Sequence, residues 1–95
     1  MKKRAFENYQ KLALILRAVD QMLFESAQLY NRAAYSDETL RIDRKLQRMK
    51  SQAEEELFKD YPEQADTSIF YGSEARQLNI EYGTDFIHVK LTRKE

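Results

Sequence analysis

The stretch FENYQKLALILRAVDQMLFESAQLYNRAA, residues 6–34, decides the fold of this chain. It contains no Gly or Pro, and it holds the longest apolar run of the sequence, from Leu12 to Leu16. At about 100° per residue, its apolar side chains gather on one side of a helix and its charged and amide side chains on the other. This pattern predicts a long amphipathic helix over residues 3–35.

The apolar side of this predicted helix is too wide for one neighbouring helix. It takes in nearly half of the cylinder, whereas a stripe of about 100° suffices against a single partner. Either a sheet of the same chain or a helix of a second copy must cover the remainder. A helix about 45 Å long also overhangs a compact monomer about 32 Å across, so the molecule is expected to be elongated or dimeric. The wide apolar side favours a homodimer. The candidate dimer seam consists of Leu12, Ile15, Leu16, Val19, Met22 and Leu23.

A second helix is predicted over residues 37–61. Ser36 stands where an N-cap belongs, and Asp37 and Glu38 place negative charge at the positive end of the helix dipole. Pro62 ends the helix, because it disfavours a helical conformation at the preceding residue and has no amide donor. Almost nothing separates the two helices, so they are expected to form an antiparallel hairpin. The second helix carries a narrow apolar stripe of Ile42, Leu46, Met49, Ala53 and Leu57.

After Pro62 the period of the sequence changes from helical to alternating. Residues 77–82 and 86–92 each place apolar side chains on one face, and a turn at 83–85 joins them. A further short strand over 68–71 would extend this β-hairpin to a three-stranded sheet, since a lone hairpin is marginal in water. The predicted fold is therefore one α+β domain over residues 1–95. It consists of a long antiparallel helical hairpin followed by a small antiparallel β-hairpin or three-stranded sheet packed on the helices.

Composition excludes several classes of function. Sixteen basic and sixteen acidic residues give zero net charge, so no overall field draws the protein to nucleic acid or to an anionic membrane. The absence of Cys excludes disulfides and thiolate metal sites. No segment approaches the run of about eighteen apolar residues that a membrane span needs. We expect a cytoplasmic protein that makes no use of a membrane.

The sequence offers no group of residues suited to catalysis. His88 is the single histidine and, without Cys, cannot form a zinc site of the usual type. No Ser, His and Asp grouping stands out, and neither glycine belongs to a phosphate-binding loop. We therefore predict that the protein is not an enzyme and has no catalytic residues, no metal and no cofactor.

The second helix carries a basic ridge opposite its apolar stripe, formed by Arg41, Arg44, Lys45 and Arg48. Its like charges four residues apart cost about 0.2–0.5 kcal/mol per pair in an isolated helix. The ridge lies in the N-terminal half and residues 54–56, all Glu, in the C-terminal half, which is the wrong order for the helix dipole. Solvation, an antiparallel contact with the same helix of a second copy, or a nucleic-acid phosphate backbone could each compensate for this arrangement.

Two functions follow from these features. The first is a small non-enzymatic protein–protein interaction or regulatory protein that acts as a homodimer and has a further partner of unknown identity. Its working surface would be the second helix and, through exposed strand edges, the sheet. The alternative is a nucleic-acid-binding regulator that uses the basic ridge. Salt separates the two, since phosphate binding weakens steeply with ionic strength and an apolar dimer hardly responds.

Overall fold

The structure is a computed structural model that describes residues 4–72 and 76–93. Helices α1 (Phe6–Leu29) and α2 (Ala33–Asp60) form an antiparallel hairpin. Strands β1 (Arg76–Tyr82) and β2 (Ile87–Arg93) form a two-stranded antiparallel sheet. The predicted α+β class and the helical hairpin are therefore confirmed. In chain order the elements are α1, α2, the one-turn helix α3 (Ser68–Tyr71), β1 and β2.

The break between the two long helices lies earlier than predicted. Tyr30 leaves the helical region at φ −109° and ψ 66°, and Arg32 is extended at φ −135° and ψ 138°. Ser36 is consequently not an N-cap but part of the first turn of α2, where its amide donates to the Arg32 carbonyl at 3.0 Å. At the other end, α1 begins after an extended Ala5, while residue 3, the predicted start, lies outside the described residues.

Contacts across the turn explain why the capping signal did not decide this boundary. The rings of Tyr30 and Tyr35 meet edge to face with centroids 5.2 Å apart. The hydroxyls of Ser26 and Tyr35 also share a hydrogen bond of 2.9 Å. These contacts tie the end of α1 to the start of α2, and such tertiary contacts outweigh a local preference of about 1 kcal/mol.

The predicted strand over 68–71 is wrong, because these residues form helix α3. The Ser68 amide donates to the Asp66 carboxylate at 2.9 Å, which stabilises the start of a helical turn. Gly72 ends the turn at φ 83°, a conformation that glycine adopts without strain. Phe70 points into the core and is fully buried. Among the described residues the sheet therefore has two strands.

The β-hairpin differs from the predicted ranges by one residue at its ends. Its register places Leu78 opposite Leu91 and Tyr82 opposite Ile87, so these side chains share one face. At the turn, the Gly83 amide donates to the Phe86 carbonyl at 2.9 Å, and the Phe86 ring leaves no room for a Cβ at that glycine. Leu78 is buried, whereas Leu91 and Ile87 stay exposed, so the helices cover only part of this face.

The core lies where α1, α2 and α3 meet. Tyr9 is buried there, and its hydroxyl donates to Asp60 at 2.6 Å, linking the start of α1 to the end of α2. The molecule measures 43 × 31 × 25 Å, with a radius of gyration of 15.0 Å. A compact chain of this length has a value of about 12 Å, so the fold is elongated. The central cluster consists of Tyr9, Ala13, Leu16, Leu46, Leu57 and Phe70.

Replacing Phe70 by Ala should lower the free energy of unfolding by about 3–5 kcal/mol, because a fully buried ring is lost and a cavity remains. Phe58→Ala is the control, since 38% of Phe58 is exposed on α2. It should cost about 1 kcal/mol or less. Urea unfolding at one fixed protein concentration measures both values. Equal losses would show that Phe70 does not anchor α3.

Candidate interaction surface

One side of the helical hairpin is apolar and uncovered, and we call it the open face. It consists of Leu12, Ile15 and Val19 of α1 with Ile42 and Met49 of α2, all exposed. Spacings of three, four and seven residues keep these side chains on one side of each helix. Ile15 is the most open of them, with 59% of its surface exposed.

A shallow groove of about 260 Å³ joins the two helices on this side. Because residues of both helices line it, the apolar side chains of α1 and α2 form one continuous surface. Gln52 and Glu56 of α2 form its polar edge. The groove is lined by Leu12, Leu16, Met49, Gln52, Ala53 and Glu56.

The small elements of the fold lie on other sides of α1. Arg17 contacts Gly72 at the end of α3, and two residues turn a helix by about 200°, so Arg17 points away from Ile15. Glu25 accepts a hydrogen bond from the Tyr82 hydroxyl, which places β1 along a further side. Neither α3 nor β1 therefore covers the open face.

The six predicted seam residues do not all lie on one surface: three are on the open face and three are buried or half-buried. Leu12, Ile15 and Val19 lie on the open face. Leu16 is buried at 6% exposure in the monomer core, and Met22 and Leu23 are half-buried, with Leu23 packed against that core. The surface left for a partner is thus narrower than the apolar arc of α1, and it gains Ile42 and Met49 from α2.

The four residues of the basic ridge are all exposed. Arg44 and Arg48 lie on the side of α2 away from α1, whereas Lys45 lies on the flank beside the open face. Arg41 pairs with Glu38 at 2.8 Å. Arg44, Lys45 and Arg48 make no ion pair with any residue in the part of the chain that the structure describes. The ridge therefore presents three cations that are free to meet an external anion.

A polar cluster is enclosed between the two long helices. The Lys50 ammonium lies 3.3 Å from the Asp20 carboxylate, with only 6% and 19% of the two side chains exposed. Gln47 donates to Asp20 at 3.4 Å and to Asp43 at 3.2 Å. The Lys50 ammonium also lies 5.9 Å from the centre of the Tyr71 ring. The cluster thus connects α1, α2 and α3.

The two carboxyl groups of this cluster have opposite pKa shifts. Burial raises the pKa of Asp20, and its hydrogen bond with Asp43 raises it further. The same hydrogen bond is the main cause that lowers the pKa of Asp43. The charge of Lys50 opposes the rise in the pKa of Asp20 and adds to the fall in the pKa of Asp43.

Sequence reasoning missed this cluster, although a signal was present. Asp20 follows Leu16 by four residues and Lys50 follows Leu46 by four, so each charge lies within the apolar stripe of its helix. Charges of opposite sign at such positions on neighbouring helices indicate a buried ion pair, since an unpaired buried charge is costly.

No family model, curated protein or solved structure matches this chain. Within residues 4–72 and 76–93, no three His, Cys, Asp or Glu side chains come together as a metal site. In the same described ranges, no helix has the length and apolar character needed to cross a membrane. The proposed function therefore rests on the geometry of this surface.

Replacing Lys50 by Met should lower the free energy of unfolding by about 3–5 kcal/mol, because the buried Asp20 loses its counter-ion. The double variant Asp20→Leu/Lys50→Met should return to within about 1 kcal/mol of the natural chain, since no charge of the pair remains unpaired. Urea unfolding of the natural chain and both variants, at equal protein concentration, measures these values. A Lys50→Met protein as stable as the natural chain would contradict a role for this pair in joining the helices.

Proposed function

We propose that this chain is a non-enzymatic protein–protein interaction or regulatory protein of the cytoplasm that acts as a homodimer through its open face. The observation that carries the proposal is an apolar surface that spans both long helices and that no other element within residues 4–72 and 76–93 covers. Contiguous apolar patches of this kind mark interaction sites in soluble proteins. A second copy is a suitable occupant, because a two-fold interface brings identical patches together.

The accessible surface supports the same proposal. It amounts to 7553 Å² for a mass of 11.3 kDa. A compact monomer of that mass has about 5,700 Å². The excess of about 1,800 Å² is larger than the area of about 800 Å² that each partner contributes to a standard interface. A second copy on the open face would remove much of this excess from water.

The chain offers a matched pair of residues for testing the seam. Leu12 and Leu14 lie on the same helix with 37% of each exposed, but only Leu12 belongs to the open face. The natural chain should show twice the mass of 11.3 kDa in light scattering. Leu12→Glu should return the mass of one chain, because it places a charge in the seam, and Leu14→Glu should remain dimeric.

Circular dichroism of both variants checks that the helices persist. A natural chain that is monomeric at every concentration would overturn the proposal. Equal loss of the dimer in both variants would show that the seam lies elsewhere.

A nucleic-acid-binding regulator is the second candidate function. The specific observation in its favour is that Arg44, Lys45 and Arg48 are exposed and without an ion pair among the described residues. Three such cations can contact successive phosphates of a backbone. The zero net charge and the acidic C-terminal half of the same helix oppose this function, so we place it second.

Fluorescence anisotropy with a labelled duplex DNA and a labelled single-stranded RNA tests this second function. Three phosphate contacts should give a slope of about −2.7 for the logarithm of duplex affinity against the logarithm of salt concentration. Arg44→Glu/Arg48→Glu should abolish binding, and Lys11→Glu/Lys59→Glu, which changes the charge equally, should largely retain it. Full affinity of the first double variant would exclude the ridge as the binding site.

A further inference from the structure

On the open face, each residue of α1 lies beside a residue of α2 at the same position along the hairpin axis. Leu12 and Leu16 share the groove with Met49 and Ala53. The two helices advance in opposite directions by about 1.5 Å per residue. A line drawn across the hairpin at Ile15 therefore crosses α2 near Ser51.

The apolar residues are arranged evenly about this line. Leu12 and Val19 lie about 5 and 6 Å to either side of Ile15 along α1. Met49 and Ala53 lie about 3 Å to either side of Ser51 along α2. A half-turn about this line therefore brings Leu12 opposite Val19 and Met49 opposite Ala53 of a second copy. Ile42, nine residues before Ser51, comes level with Asp60 instead of an apolar residue.

The charges on the flank of α2 are arranged in the same way, but with opposite signs. Glu56 lines the groove, and Lys45 lies on the same flank because it precedes Met49 by four residues. Lys45 is about 9 Å before Ser51 and Glu56 about 8 Å after it. The same half-turn therefore places Lys45 opposite Glu56 of the second copy.

The other face-to-face arrangement has its axis along the helices and would set α2 on α1 of the second copy. Lys45 would then come level with Gln21, six residues after Ile15, which carries no charge. With the axis across the hairpin, the exposed Lys45, which has no ion pair among the described residues, gains Glu56 of the second copy as a partner.

We infer that two copies pack open face to open face about a two-fold axis that crosses each hairpin at Ile15 and Ser51. In this arrangement α2 runs antiparallel to α2 of the second copy, and Lys45 of each copy pairs with Glu56 of the other. The inference rests on the homodimer proposed above and specifies its geometry. It also gives a reason for the order of charges along α2, which the helix dipole disfavours.

Single cysteines test the position of the axis, because the natural chain has none. Ile15→Cys should form a disulfide-linked dimer under mild oxidation, since this position meets its own copy at the axis. Val19→Cys should not link to itself, because about 12 Å separates the two copies along the helix and a disulfide requires Cα atoms within about 7 Å. A mixture of Leu12→Cys and Val19→Cys chains should form the mixed disulfide.

Charge reversal tests the proposed ion pair. Lys45→Glu and Glu56→Lys should each raise the dimer dissociation constant about tenfold, because each removes two rim ion pairs per dimer and sets like charges together. The double variant Lys45→Glu/Glu56→Lys should recover the natural value. Glu56 also pairs with Arg4 within the chain at 2.7 Å, so Arg4→Gln serves as the control and should leave dimerisation unchanged. Sedimentation equilibrium measures the dissociation constants of the natural chain and of the four variants.

The results distinguish two claims, namely the position of the two-fold axis and the existence of the homodimer. A dimer that links through Ile15→Cys and is rescued by the double reversal supports the inference. A dimer that neither links at position 15 nor is rescued overturns this geometry and leaves the homodimer standing. A monomer under all conditions overturns both.

Discussion

Helix α1 carries apolar side chains around more of its surface than the other described elements cover. The arrangement of the molecule follows from which sides of α1 these elements bury. Leu16 faces α2 and is buried by it, and Phe70 of α3 packs in the same core as Ala13. Ala18 lies about 200° around the helix from Leu16, yet it is also buried, on a side that α2 cannot reach. The side of Ile15 is left uncovered over several turns. An elongated molecule with a large accessible surface is the direct result.

The buried pair of Lys50 and Asp20 sets how the two long helices stand against each other. Neither charge can leave its partner without remaining enclosed and unpaired, so a shift of one turn along the hairpin is costly. Apolar stripes alone tolerate such shifts, because one leucine replaces another. We interpret the pair as a register device, which also determines the level at which Ile15 faces Ser51. The symmetry of the open face therefore depends on a contact inside the monomer.

The sequence predicts those elements of the fold whose apolar side chains recur at a regular spacing. Helical and alternating periods place α1, α2 and the β-hairpin, with the strand ends within one residue. Single local signals were less reliable: Ser36 has the chemistry of an N-cap, but the contact between Tyr30 and Tyr35 moved the break. Residues 68–71 are too few to show a period, and the Asp66 side chain favours a helical turn there. The division of the seam could not be predicted, since it depends on which sides of α1 other elements occupy.

The order of charges along α2 links the two candidate functions. A helix with a basic N-terminal half and an acidic C-terminal half is unfavourable alone but complementary to an antiparallel copy of itself. Arg44 and Arg48 take no part in that pairing, because each is turned about 200° from Leu46, which faces α1. They point outward from the hairpin, on an edge that the open face does not include. The proposed dimer would therefore leave these cations accessible in both copies, and a partner with acidic groups could bind there without competing with the second subunit.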